Sequence, residues 1–298
     1  MKMYDGRKMP ASVVFLGTSA FAVPSLKTLV ANKNFNVQLV ITQPDRPAGR
    51  KRILTQPPVK ISALELSLKV EQPEKMNATF SILHSAFPRP DFLVVVSYGQ
   101  ILSEEVLAWP KVAAVNVHAS LLPKLRGASP IQHAILEGMT ETGVTVQRMA
   151  KELDAGPILS QETVAVDERE IFETLHEKLA VLGAELLIRT LASPLSEKLQ
   201  NHALATFCKK LKTTDGIADP KTMTAMHIDR MVRALGTEPG VRWNEAKILS
   251  TSLTEHPESL PLPCTGNSTL YVERIQPNSG KPMSGKEYRL GHPVTRTT

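Results

Sequence analysis

The chain has 298 residues, of which 42% are hydrophobic and 21% charged, with a formal net charge of +6. Those values exclude wholesale disorder and give room for about two domains at ~150 residues each. No apolar run reaches the ~18–20 residues of a membrane-spanning helix, and two cysteines, Cys208 and Cys264, exclude a disulfide framework and a four-thiolate zinc site.

A reducing, cytoplasmic setting is therefore expected. The apolar stretch Val13–Leu16 is too short for a secretory signal. The charge is unevenly spread: 22 Lys/Arg against 20 Asp/Glu up to Cys208, and 13 against 9 from Lys209 on. A basic tail points mildly to a polyanionic partner, and on charge alone an ordinary solvated basic surface is the commoner reading.

In chain order, Ser12–Gly17 reads as a buried strand and Phe21–Ala31 as a helix with Phe21, Leu26, Leu29 and Val30 on one face. Val37–Thr42 is a second strand, Thr42–Thr55 a long loop, Val59–Leu68 a helix and Lys69–Gln72 a short strand. Asp91–Ser97 is a continuous β-branched run, as expected of a strand covered on both faces. Val112–Val117 and Gly143–Met149 read as strands, and Ala128–Glu137 and Ile171–Leu191 as helices. This alternation predicts an α/β domain, Rossmann-like, with a mostly parallel sheet. Residues 1–192 form that domain and 193–207, with Ser193, Pro194 and Ser196, a linker. Residues 208–298 hold one helix, Thr224–Leu235, then short strands broken by prolines and glycines, with little strand signal over Glu255–Asn267. They predict a small β-rich second domain.

Four segments carry chemistry. Gly17-Thr18-Ser19 turns from strand into helix, where doubly wound folds bind anions, but neither the G-x-G-x-x-G nor the phosphate-loop pattern is present. An ordinary tight turn fits as well. The Thr42–Thr55 loop leaves the carboxyl end of a strand and carries Arg46, Arg50, Lys51 and Arg52 against Asp45 alone. Such a loop suits phosphates, although a charge run alone more often marks a solvated loop. Asn116 and His118 alternate along a strand and so project together. An amide can donate to an oxyanion and an imidazole can move a proton near neutral pH, which suits acyl transfer. By itself the pair also reads as a packed or surface histidine. Asp154, in Leu153-Asp154-Ala155-Gly156-Pro157, is ordinary turn chemistry unless it stands beside His118. The eight histidines show no metal-ligand spacing, so no metal is expected.

Together these segments resemble the folate-dependent formyltransferases. The matching stretches run in the family's order: VVFLGTSAFAVPSL from Val13, TQPDRPAGRKRILTQPPVK from Thr42, DFLVVVSYGQIL from Asp91, NVHASLLPKLRGASPIQHAI from Asn116 and ETGVTVQRMAKELDAGPIL from Glu141. The resemblance implies the formyltransferase fold followed by a small OB-like β-barrel at 208–298 that helps hold tRNA. It implies Asn116, His118 and Asp154 as the catalytic set. It also implies folate contacts from Tyr98, Gly99, Gln100, Ile101, Leu102, Ser120, Leu121, Leu122, Pro123, Glu152, Leu153 and Gly156. The PDRPAGR-type loop resembles that of the tRNA-formylating branch, which implies 10-formyltetrahydrofolate as donor and initiator methionyl-tRNA as acceptor. Arg46, Arg50, Lys51 and Arg52 would then engage the acceptor stem. Leu125 stands where the family usually has tryptophan. A sugar-nucleotide N-formyltransferase would share the triad without needing the basic loop. A formyltetrahydrofolate hydrolase or dehydrogenase domain would leave the basic tail unexplained. A noncatalytic RNA-binding relative would not need the triad. With no exposed apolar helix face demanding a partner, a monomer is expected, without membrane contact.

Overall fold

The computed structural model describes residues 3–4, 7–49, 52–236 and 238–291. The apolar runs form one seven-stranded sheet. Its strands are Ala11–Gly17 (β1), Phe35–Ile41 (β2), Val70–Glu71 (β3), Phe92–Val96 (β4), Ala113–His118 (β5), Glu141–Arg148 (β6) and Ile158–Ala165 (β7), in the order β7-β6-β5-β4-β1-β2-β3. β1 pairs in parallel with β2 and β4, β2 with β3, and β4 with β5. β6 runs antiparallel to β5. The mostly parallel α/β reading therefore holds. All five residues of β4 are buried, which explains why its sequence shows no alternation. The chain runs outward from β1 to β3 and then returns to β4 on the other side of β1. That reversal opens a crevice at the carboxyl ends of the strands.

The helices are Val23–Ala31 (α1), Pro58–Glu65 (α2), Met76–Ala86 (α3), Pro130–Leu136 (α4), Phe172–Leu191 (α5), Ala225–Leu235 (α6) and Gly285–Gly291 (α7), with short 3-10 and helical turns between. α3 was not among the expected elements, although Met76, Phe80 and Leu83 are buried at helical spacing. α5 comes close to β5 at Gly183, where a Cβ would lie 2.9 Å from Val117 Cγ1. Val117 therefore faces that helix, and Asn116 and His118 point to the other side of the sheet.

The chain divides into two compact units. The first is Met1–Gly127, Thr142–Val164 and His176–Phe207; the second is Ala128–Glu141, Ala165–Leu175 and Cys208–Thr298. These bounds differ from the sequence division. The segments 128–141 and 165–175 group with the C-terminal residues, and the expected linker 193–207 groups with the first unit, to which Lys198 is bridged through Ile158 of β7.

In the second unit, Thr224 caps α6 by accepting from the His227 N–H at 3.2 Å. Val241–Trp243 (β8), Ala246–Ser252 (β9), Leu260–Cys264 (β10), Ser268–Pro277 (β11) and Met283–Ser284 (β12) form an antiparallel sheet, β8-β9-β11-β10, with β12 also on β11. Ile228, Met231 and Leu235 of α6 share its core with Ile248, Leu270 and Val272. β10 corrects the expectation of little strand structure over Glu255–Asn267. Leu260 and Leu262 are buried while Pro261 and Pro263 face outward on an edge strand, where a missing N–H costs nothing.

One further expectation changes: the Thr42–Thr55 loop contains a hairpin, in which Arg46–Ala48 pairs antiparallel with Ile53–Thr55. Arg50 and Lys51 lie outside the described residues. Among the described residues, no helix is long and apolar enough to cross a membrane, and no three His, Cys, Asp or Glu side chains gather as metal ligands.

Candidate active site

Asn116 and His118 end β5 at the carboxyl edge of the sheet, and β6 places Gln147 opposite Asn116 and Thr145 opposite His118. The loop after β5 folds back so that the carbonyl oxygen of Leu125 lies 2.9 Å from His118 Nε2. A carbonyl can only accept, so Nε2 carries a proton and, in the neutral ring, Nδ1 is bare. Nδ1 lies 3.7 Å from Asp154 Oδ1, with both side chains largely buried.

Asp154 comes from the turn between β6 and β7. Its Oδ2 accepts the Gly127 N–H at 2.9 Å, and its Oδ1 accepts from Gln147 Nε2 at 3.1 Å and Asn116 Nδ2 at 3.4 Å. The carboxylate is thus oriented by three donors while one oxygen faces the imidazole. Asp154 and Leu125 both have positive φ, at 50° and 55°. Non-glycine residues adopt that region only when their surroundings hold them there, and such residues gather at functional sites. At Gly156 a Cβ would meet the Arg148 carbonyl oxygen at 1.9 Å, so only glycine fits.

The expected folate residues divide. The side chains of Tyr98 and Leu102 lie in the core beside Leu93 and Met76. Burial pushes the Tyr98 phenol up to about 12, and its hydroxyl is buried without a partner among the described residues. Gly99, Gln100 and Ile101 instead line an open cavity of about 490 Å³ with Gln43, Lys75 and Asn77. Ile101 is 83% exposed, as is 65% of Leu153 in the Asp154 turn. Ser120 and Leu122 are buried and help hold the loop after β5: Ser120 Oγ donates to the Lys124 carbonyl at 2.6 Å, and the Leu122 N–H to Thr145 Oγ1 at 3.1 Å. Leu121 and Pro123 are half-buried, Glu152 is exposed and Gly156 is buried.

The Gly17-Thr18-Ser19 turn is tied to the segment that follows β4. Thr18 Oγ1 donates to the Tyr98 carbonyl and Ser19 Oγ to Ser97 Oγ, both at 2.8 Å. At the hairpin, Asp45 accepts from Lys60 Nζ at 2.7 Å and Gln72 Nε2 at 2.8 Å, and these two partners hold its carboxyl below the usual range. Arg46 pairs with Glu74, and Arg52, Ile53 and Leu54 are exposed. Sequence reasoning missed Gln147 and Gln200, which contact the Asp154 side chain and backbone respectively. The alternation that placed Asn116 and His118 also places Gln147 in register across the sheet; for Gln200 no local signal exists.

An amide, an imidazole and a carboxylate thus gather at the carboxyl end of β5, an arrangement chemically suited to acyl transfer. The formyl transferase family profile matches residues 11–191, more than half of the chain. The methionyl-tRNA formyltransferase of Roseiflexus sp. (strain RS-1) is 39% identical over 303 residues, covering 95% of this chain and 93% of its own. That of Bacillus subtilis (strain 168) is 37% identical over 300 residues, 94% of each. The chain belongs to the methionyl-tRNA formyltransferase family. In fold it is similar to the N-formyltransferase from Helicobacter canadensis, solved in complex with folinic acid and dTDP-3-aminofucose, with a TM-score of 0.65 at 19% identity over 89% of this chain and 99% of that one.

Proposed function

We propose that the chain formylates methionyl-tRNA with Asn116, His118 and Asp154 as its catalytic groups. It is an enzyme that moves the formyl group of 10-formyltetrahydrofolate to the α-amino group of initiator methionyl-tRNA. The observation that carries the site assignment is the convergence of Asp154, 38 positions from Asn116 in sequence, with Asn116 and His118 at one sheet edge.

The roles follow from the geometry. Attack of the amine on the formyl carbon puts negative charge on the formyl oxygen. Asn116 Nδ2 has a second N–H beyond the one aimed at Asp154, and it donates to that oxygen; losing one such donor costs on the order of 100–1,000-fold in rate. His118 Nδ1 takes the proton that leaves the amine, and Asp154 stabilises the imidazolium so formed. His118 then returns the proton to the departing folate nitrogen as the carbon–nitrogen bond breaks. General acid–base help of this kind contributes roughly 100–10,000-fold. Gly99–Leu102, Ser120–Pro123 and Glu152–Gly156 form the folate site. The exposed apolar side chains of Ile101 and Leu153 suit a flat ring system, and the backbone of both segments suits its polar edge.

Arg46, Arg50, Lys51 and Arg52 engage the acceptor stem, with Ile53 and Leu54 exposed beside them. The antiparallel unit serves as an OB-like domain that grips the RNA backbone. The enzyme acts as a monomer in the cytoplasm, where its tRNA substrate is charged.

The test offers charged methionyl-tRNA and a UDP-aminosugar separately, each with 10-formyltetrahydrofolate, to the native chain and to His118→Ala. Transfer to the tRNA that disappears in the variant is expected. Transfer to the sugar alone would overturn the acceptor, and an active variant would overturn the site.

A further inference from the structure

Gln200 belongs to the segment 193–207, which the sequence offers only as a connector, yet it is 6% exposed. Its Oε1 accepts from Arg126 Nε at 3.1 Å and Nη2 at 2.6 Å. Its Nε2 donates to the backbone carbonyls of Asp154 at 2.9 Å and Gly156 at 2.7 Å. Arg126, itself buried, precedes Gly127, whose N–H holds the Asp154 carboxylate at 2.9 Å. One amide thus ties the backbone of the Asp154 turn to Arg126, whose neighbour Gly127 grips the Asp154 side chain.

The turn needs such a tie. Asp154 has a φ of 50°, a left-handed conformation that an aspartate keeps only where its surroundings hold it. Only an amide supplies an acceptor for a guanidinium fork and two donors for carbonyls from one planar group. Glutamate could keep the Arg126 contact and would lose both donors. The carbonyls of Asp154 and Gly156 would then face a carboxylate oxygen inside a buried pocket, which repels them.

We propose that Gln200 is a positioning residue for formyl transfer: it holds the Leu153–Gly156 turn so that Asp154 Oδ1 faces His118 Nδ1. The proposal rests on the catalytic reading of Asp154. Gln200 touches none of the reacting atoms, and its effect passes through Asp154.

The test measures single-turnover formyl transfer by the full chain carrying Gln200→Glu or Gln200→Ala, each alone and combined with Asp154→Asn. Thermal unfolding serves as the folding control. In the native background, each Gln200 change is expected to lower the rate by about 10–100-fold, the cost of misplacing a reacting group by ~1 Å. The concentration of methionyl-tRNA for half-maximal rate should stay within about 2-fold. In the Asp154→Asn background the same change should cost less than about 3-fold, because residues acting as one unit are not additive. An equal loss in both backgrounds would overturn the proposal. So would a folded Gln200→Glu with native rate, or failure of both variants to fold, which would make the role structural. An Asp154→Asn chain with native rate would overturn the catalytic reading of Asp154 itself. An inactive Asp154→Asn beside an active Gln200→Glu would overturn the positioning role alone.

Discussion

His118 Nε2 sits 2.9 Å from the carbonyl oxygen of Leu125, so the proton on that nitrogen is fixed by the backbone and the proposed proton transfer falls to Nδ1. Two substitutions separate these jobs. His118→Gln puts an amide N–H near the Nε2 position, where it can still donate to Leu125, and offers no base at the Nδ1 position. Its rate of formyl transfer should fall by about 100–10,000-fold with the unfolding midpoint little changed. His118→Ala should lose the rate and also about 1 kcal/mol of stability, since the buried carbonyl loses its donor. Denaturation and single-turnover rates on both chains check this. A Gln variant as active as the native chain would overturn proton transfer by His118.

Tyr98 gives a pH dependence. Its ring is buried, and the pKa is pushed from its ordinary value of 10 up to about 12 by loss of solvent. The neutral phenol is therefore favoured in the folded state. The stability it contributes is complete below pH 10 and is lost as pH rises from 10 to 12, because only the unfolded chain releases the proton readily. Tyr98→Phe should remove this loss, amounting to roughly 2 kcal/mol at pH 12 relative to the native chain. At neutral pH the same variant should be about 1 kcal/mol more stable, since the Tyr98 hydroxyl is buried without a partner among the described residues. Urea unfolding of both chains between pH 7 and pH 11.5 measures both effects.

These sites were not equally legible in the sequence. The Val112–Val117 run and its Asn-x-His end were, because a buried strand writes its character in consecutive residues. Asp154 was legible only as a turn residue until the resemblance paired it with His118. Gln200 left no trace, since its two carbonyl partners are backbone atoms 44 and 46 positions away. β10 was obscured for a different reason. Pro261 and Pro263 read as breakers, yet at an edge they alternate outward around the buried Leu260 and Leu262. The hairpin at Arg46–Thr55 was hidden because its exposed Ile53 and Leu54 have no buried face to set a period.

The second unit has a buried charge at its centre. Asp229 is fully buried on α6, and it accepts from Arg169 Nη1 at 2.8 Å, Arg233 Nε at 2.9 Å and Thr251 Oγ1 at 2.8 Å. Arg169 also donates to the Thr251 carbonyl at 2.6 Å, and Arg233 to that of Glu170 at 2.9 Å. One carboxylate thus joins the helix, β9 and the 165–175 segment. Asp229→Ala should destabilise the unit by about 3–5 kcal/mol, because it leaves the largely buried Arg233 without its counter-charge. Chemical denaturation followed at Trp243, which lies in this unit's core, measures the loss. A change under 1 kcal/mol would mean that the network adds nothing beyond ordinary surface pairing.

The hairpin yields the last prediction. Arg46 pairs with Glu74, but the two side chains are 60% and 67% exposed, so the pair contributes little and Arg46 can exchange it for a phosphate. Asp45, by contrast, is fixed by Lys60 and Gln72 and does not take Glu74's place beside Arg46. Glu74→Gln removes both a competitor for Arg46 and a charge that repels the RNA. It should tighten binding of methionyl-tRNA by about 2–5-fold at low salt, with the gain fading as salt screens it. Arg46→Ala should weaken binding and lower the slope of log affinity against log salt by about one, the signature of one lost phosphate contact. In the Arg46→Ala background, Glu74→Gln should keep only its long-range share of the gain. Filter binding of the four chains over a range of salt distinguishes these cases. An unchanged slope in Arg46→Ala would place Arg46 off the RNA and leave the acceptor stem to other cations.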